Sequence, residues 1–137
     1  MDSNNFPAPR RRDPAEMRKM LWYVASPYGK YEGGTDKAYE DVCREMALLL
    51  DAGVRVFGPI AHTHGLSKHM APKPHKFWMT IDRWVFDACD GLIIVKLPGW
   101  WESEGVMQEL AWATQANMPV VKMDPGVVPE VFLTEGN

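Results

Sequence analysis

Four short apolar runs punctuate this chain, and between them the apolar positions recur at helical spacing. Met20-Leu21-Trp22-Tyr23-Val24-Ala25 is unbroken and ends at the turn-forming Ser26-Pro27-Tyr28-Gly29, which predicts a buried strand. Ala38, Val42, Cys43, Met46, Leu49 and Leu50 then follow the helical period between Thr35/Asp36 and Gly53, predicting an amphipathic helix over 36–52. Val54-Arg55-Val56-Phe57 reads as a second strand, stopped by Gly58-Pro59. Residues 58–74 hold His62, His64, His69, Pro72 and Pro74 without a clean period, and so predict a long loop of the kind that forms lids and binding segments. A helix over about 75–89 is expected to turn Phe77, Trp78, Ile81, Trp84, Val85 and Ala88 inward. The strand Leu92-Ile93-Ile94-Val95, a helix capped by Ser103 and running to about Asn117, and the strand Val120-Val121-Lys122-Met123 complete the pattern.

Continuous apolar strands alternating with amphipathic helices imply a parallel sheet covered on both faces. The expected fold is α/β: a three-layer doubly wound parallel sheet of four to five strands, flavodoxin- or Rossmann-like, with strand order 2-1-3-4. Such sheets bind ligands at the carboxyl ends of the strands where the order reverses, here between the first and third strands. The segments 26–35 and 96–105 therefore matter most, with 58–74 beside them. Residues 1–18, with three prolines and Arg10-Arg11-Arg12, are expected to be a mobile arm. Residues 19–125 form the single expected domain, and 126–137 a C-terminal tail.

Composition narrows the partners. A chain of 137 residues with 46% hydrophobic and 24% charged positions has the balance of one globular domain, which excludes collagen, coiled coil and wholesale disorder. The net charge of −3 supplies no basic field, so no stable nucleic-acid complex is expected. Cys43 and Cys89 stand in no CxxC spacing, which fits a reduced, cytoplasmic setting. The Pro- and Arg-rich start does not read as a secretory leader, and no run approaches the roughly 20 apolar residues of a membrane span. Six tryptophans and nine methionines exceed what so small a core hides, so a homo-oligomer is expected. No cofactor and no metal is expected. His62 and His64 would share one face of an extended segment and begin a metal site, but no third ligand is obvious.

Among residues that can do chemistry, Glu109 carries the most information. Helical side chains lean toward the N-terminus, so its carboxylate lies over position 105, which is glycine. A glycine in the first turn costs roughly 1 kcal/mol relative to alanine, and what it provides is room for a ligand to approach the carboxylate. Ser103 and the free N–H groups of the helix start add donors suited to an anion. The bland alternative is an exposed Glu109 beside an incidental glycine, and spacing alone leaves both open.

The run Trp100-Trp101-Glu102-Ser103-Glu104-Gly105-Val106-Met107-Gln108-Glu109-Leu110-Ala111-Trp112-Ala113 resembles the nucleoside 2-deoxyribosyltransferase-like superfamily. Its members carry a Ser-x-Gly-x-x-x-Glu-Leu-like helix after the third strand. Tyr23-Val24-Ala25-Ser26-Pro27-Tyr28 looks like the family's first strand and ribose-side loop. Asp82, with Asp87 and Asp90 before Gly91-Leu92-Ile93-Ile94-Val95, looks like its helix aspartate and strand entry. The resemblance spans about residues 20–123. The His62-Thr63-His64 loop and the Trp100-Trp101 pair depart from the better-known transferases and bring the chain closer to a phage and bacterial branch.

The resemblance implies cleavage of an N-glycosidic bond through a covalent sugar intermediate, with Glu109 as nucleophile. Asp82 is the candidate acid or base-orienting group, one turn from Trp78, whose apolar ring would raise the carboxyl's pKa and border the substrate. Ser26, Tyr28 and Ser103 are expected to hydrogen-bond a sugar or 5′-phosphate. Trp101, beside Trp100, is expected to stack on the base, and His62 to touch base or phosphate from a lid. Asp90 reads first as a turn residue, with a substrate contact kept open, and Tyr23 is expected to point into the core. Because the family builds sites across subunits, the acidic tail Glu130–Asn137 is expected to reach a neighbour's cleft. The partner is thus a small nucleoside or nucleotide, handled by a deoxyribosyltransferase or by a hydrolase. A noncatalytic nucleotide-binding module of the same fold is the reading of another class, and it requires Glu109 to turn away from the cleft or Asp82 to lie too far from it.

Overall fold

The structure, a computed structural model, describes residues 12–133. Four strands, β1 (Leu21–Ala25), β2 (Arg55–Phe57), β3 (Gly91–Val95) and β4 (Val120–Met123), pair in parallel in the order β2-β1-β3-β4. Five helices, α1 (Pro14–Lys19), α2 (Thr35–Asp51), α3 (Pro59–Ser67), α4 (His75–Phe86) and α5 (Glu104–Gln115), complete the doubly wound α/β architecture expected from the apolar runs.

Strand alternation divides the core in two. Trp22, Val24, Ile93 and Val95 face one side with Val42, Met46 and Leu49 of α2. Tyr23, Ala25, Leu92 and Ile94 face the other with Phe86 of α4 and Val106, Trp112 and Ala113 of α5. Each fully buried large apolar side chain contributes about 1.5–3 kcal/mol, and the two central strands supply such side chains to both cores. Gly91 opens β3 because a Cβ there would run into the Trp22 ring, and Gly91→Ala would force that ring out of place. Edge strands β2 and β4 are short and carry the exposed Arg55 and Lys122, which discourages further pairing.

Four expectations require correction. The segment 58–74 is not one loop, because Pro59–Ser67 is the helix α3. Pro59 pre-sets the first helical turn, and the hydroxyls of Thr63 and Ser67 bond back to the Pro59 and His64 carbonyls at 2.8 and 2.7 Å. Burial of Pro59 and His64 overrides the weak propensity of a stretch containing Gly65. Within α4, Trp84 is 69% exposed whereas Phe86 is fully buried, and Ala88, in the turn beyond the helix, is exposed. The inner stripe runs through Met79, Asp82 and Phe86, and a rule admitting only apolar residues skips Asp82 and misplaces it.

The arm and tail are also shorter than expected. Residues 14–18 lie in α1, capped by Asp13, whose Oδ1 accepts from the Glu16 N–H at 2.8 Å. Trp22 Nε1 donates to the Met17 carbonyl at 2.7 Å, and Arg18 donates to the Phe132 carbonyl at 2.6 Å. Phe132, in a short 3₁₀ turn over Glu130–Phe132, is buried edge-on against Trp22 at 5.2 Å. Within Glu130–Leu133, Phe132 thus closes on the chain's own core, while Glu130, Val131 and Leu133 are exposed. Residues 1–11 and 134–137, the rest of the expected arm and tail, lie outside the described residues. Among the described residues no helix is long and apolar enough to cross a membrane.

Candidate active site

Two adjoining cavities open beyond the carboxyl ends of β1 and β3, where the strand order reverses. They share Tyr28, Gly29, His75, Ser103 and Gly105 as lining. The inner one, about 170 Å³, is completed by Ser26, Trp78, Met79, Asp82 and Glu109, with Pro59, Ile60, Thr63 and Ser67 of α3 as its wall. The outer one, about 410 Å³, is edged by Lys30, Glu32, Glu102 and Glu104.

Helix α5 packs on the sheet through Val106 and Ala113, and Glu109 shares their face at helical spacing. Its side chain is therefore carried against the central strand β1, 4% exposed. The Tyr23 hydroxyl, reaching up from β1, donates to Glu109 Oε2. Burial pushes Glu109 up to about 8; the Tyr23 hydrogen bond works against that rise, and the charge of Asp82 adds to it. Burial also pushes Asp82 up to about 6. Tyr23 is itself raised, by burial first and then by the Glu109 charge. Both carboxyls are thus pushed toward the protonated form, in a single cavity. Gly105 stands one turn before Glu109, and a Cβ there would meet nothing nearer than Ser103 Oγ at 3.9 Å, so the glycine leaves the approach open.

The structure brings Glu109, Asp82, Ser26, Tyr28, Trp78, Ser103 and Gly105 together at the cavities. Ser26 is buried, lines the inner cavity, and its Oγ has no hydrogen-bond partner among the described residues. Ser103 Oγ caps α5, accepting from the Val106 N–H at 3.3 Å, and borders both cavities.

Three candidates lie elsewhere. Asp90 sits at the amino end of β3, where Oδ2 accepts from the Leu21 N–H at 2.8 Å and its own N–H donates to the Leu21 carbonyl at 2.7 Å. It fastens β3 to β1 at the end of the sheet away from the cavities. His62 is exposed on α3 against Phe57, because two residues along a helix turn side chains apart rather than to one face, and His64 points inward instead. That same geometry breaks up the suggested histidine pair. Trp101 is 59% exposed and lines neither cavity, while Trp100 packs toward the α4/α5 core beneath Lys122. Among the described residues no group of three or more His, Cys, Asp or Glu side chains gathers as a metal set.

Two features of the site escaped the sequence reading. The Tyr23 ring does enter the core, but its hydroxyl serves Glu109, and the need of a buried phenol for a partner was the available signal. His75 lines both cavities, and its spacing to Trp78, Met79 and Asp82 on one face of α4 would have revealed it.

Comparison with known proteins places this geometry in context. The chain belongs to the family described as Domain of unknown function (DUF1937), whose model matches residues 20–125. No curated protein matches it. A solved 2-deoxyribosyltransferase from the psychrotolerant bacterium Bacillus psychrosaccharolyticus is similar in structure, with a TM-score of 0.52 and 20% identity over 84% of this chain and 80% of that one. At that identity the likeness establishes a shared fold.

Proposed function

We propose that the cleft cleaves the N-glycosidic bond of a nucleoside or nucleoside 5′-monophosphate through a glycosyl-enzyme intermediate. The observation that carries this reading is the buried Glu109 carboxyl, held by Tyr23 and facing the same cavity as Asp82. Two carboxyls with separated titrations in one pocket are the equipment of retaining glycosyl transfer. A Glu109 oxygen would bond to the anomeric carbon as the carbon–nitrogen bond breaks. The electron pair of that bond leaves with the base, which takes its proton from Asp82. In the second step a water or another base attacks the same carbon, Glu109 leaves as carboxylate, and Asp82 recovers a proton.

Burial raises Glu109 further than Asp82, so the reaction requires the proton to be on Asp82 and the anion on Glu109 against that resting order. Positive charge developing on the sugar ring favours that distribution, and the Tyr23 hydroxyl supports the anion. Ser26 and Ser103 would hold sugar hydroxyls, and Trp78 with Met79 would border the base. Water as acceptor makes the protein a hydrolase, and a second base makes it a deoxyribosyltransferase. That both carboxyls line one cavity supports this reading over a noncatalytic nucleotide-binding module. A homo-oligomer belongs to the same proposal, with the exposed Trp84 and Trp101 as the apolar surface to be covered.

The test is incubation with a panel of nucleosides and 5′-nucleotides, following free base by chromatography, with and without a second base. Base release that vanishes in Glu109→Ala supports the proposal. Release that continues unchanged in that variant removes it.

A further inference from the structure

On the wall shared by the two cavities, Tyr28 is tied to a residue outside both. Its hydroxyl lies 2.7 Å from His64 Nδ1, and His64 Nε2 lies 2.8 Å from Asp36 Oδ1. His64 is 6% exposed, stacked on the Tyr39 ring at 4.6 Å and 19° and met edge-on by Tyr28. Asp36 stands in the first turn of α2 at the surface, where Lys68 Nζ also approaches it at 4.0 Å. A chain of two hydrogen bonds thus runs from a surface carboxylate, through a buried imidazole, to a phenol of the cleft.

Directions along this chain follow from donor and acceptor counts. A carboxylate only accepts, so Nε2 must carry the proton facing Asp36. In the neutral ring Nδ1 is then bare and can only accept, which commits the Tyr28 proton to it. The Tyr28 oxygen retains lone pairs and no proton for anything else. We infer that the Asp36–His64–Tyr28 chain makes Tyr28 a specificity-determining acceptor in the cleft, with Asp36 and His64 as positioning residues. A ligand group that meets the hydroxyl must donate to it, as a sugar hydroxyl or an exocyclic amine does. An anionic phosphate oxygen there finds a second acceptor and is rejected. This reverses the donor role expected of Tyr28 from its sequence position. That the donor group belongs to a nucleoside rests on the function proposed above; the polarity of the chain does not.

The deciding measurement is nitrogen NMR of the intact protein carrying ¹⁵N-histidine, with the His64 signals identified by their loss in His64→Gln and, independently, by their response to Tyr28→Phe. The expected result near neutral pH is a proton on Nε2 and none on Nδ1, with Tyr28→Phe moving the Nδ1 resonance alone. A proton on Nδ1, or on both nitrogens, overturns the inference. Calorimetry with 2′-deoxyadenosine, on a Glu109→Gln background that prevents turnover, reads the consequence. Tyr28→Phe and His64→Gln should each weaken binding about 5- to 10-fold, the worth of one hydrogen bond, and the double variant should lose no more than either. Losses that multiply contradict a linked chain. If the tautomer is as expected and the wild-type cleft binds no nucleoside, the proposed reaction fails while the polarity of Tyr28 stands.

Discussion

Glu45 and Glu109 are the two buried glutamates of the described chain, at 5% and 4% exposure, and they serve opposite faces of the sheet. Glu45, on α2, accepts from the Gly126 N–H at 2.6 Å and so clamps the turn after β4, where Gly126 takes a φ of 78° that suits glycine. It borders neither cavity. Glu109 is met by a phenol instead of a backbone amide, faces a cavity with a second carboxyl, and is raised to about 8. Burial alone therefore does not mark a reactive group. What separates the two is whether the buried oxygen's partners close its surroundings or leave a face open to a ligand.

The largest expected difference is in activity. Glu109→Ala should lower the rate of base release by at least about 10³-fold, the scale for losing a nucleophile. Glu45→Ala should leave that rate within about twofold and cost about 1–3 kcal/mol of stability, because the Gly126 amide loses its acceptor. Steady-state kinetics and urea unfolding on both variants read the two effects.

Next in size is the response of stability to pH. Glu109 titrates at about 8 when folded against an ordinary value of 4.5. Below that ordinary value both states are protonated and nothing is lost. As pH rises from there to about 8 the unfolded chain ionises first, so wild-type stability falls. Glu109→Gln removes this group, and the variant should gain about 1–4 kcal/mol over wild type at about pH 9 and almost nothing near pH 4. Urea unfolding at both pH values checks the sign.

How much of this was legible in the sequence follows from what each signal measures. The buried strands were legible because β1 and β3 are apolar on both faces, whereas crossover handedness limits their order without fixing it. Glu109 was legible through Gly105 one turn before it together with the resemblance of the surrounding run, since the spacing alone left an exposed residue equally open. Helix α3 was hidden, since its stability comes from Pro59 and His64 meeting the rest of the fold and not from local propensity. His62 was misassigned, and the substrate contact kept open for Asp90 does not form, because order along the chain does not say which side of a helix, or which end of the sheet, a residue occupies. The Tyr23–Glu109 and Tyr28–His64 pairs are separated by 86 and 36 positions, so only the folded chain brings them together.

Smaller effects sharpen the contrast. Tyr23→Phe should reduce the rate about 10- to 100-fold while preserving the ring's packing on Phe86. It removes the hydrogen bond that lowers Glu109, so the rising limb of the kcat/KM profile should move to higher pH. Gly105→Ala should raise KM several-fold with stability unchanged or improved by up to about 1 kcal/mol, since its methyl enters the approach to Glu109 and clashes with nothing.

The most direct measurement is intact-protein mass spectrometry after acid quench of a reaction with a 2′-fluorinated arabinonucleoside, whose fluorine slows turnover of a sugar bound to the enzyme. The account predicts a mass increase of one fluorinated sugar, mapping by peptide fragmentation to Glu109 and absent in Glu109→Ala. Release of base without any adduct, or an adduct on another residue, would contradict it.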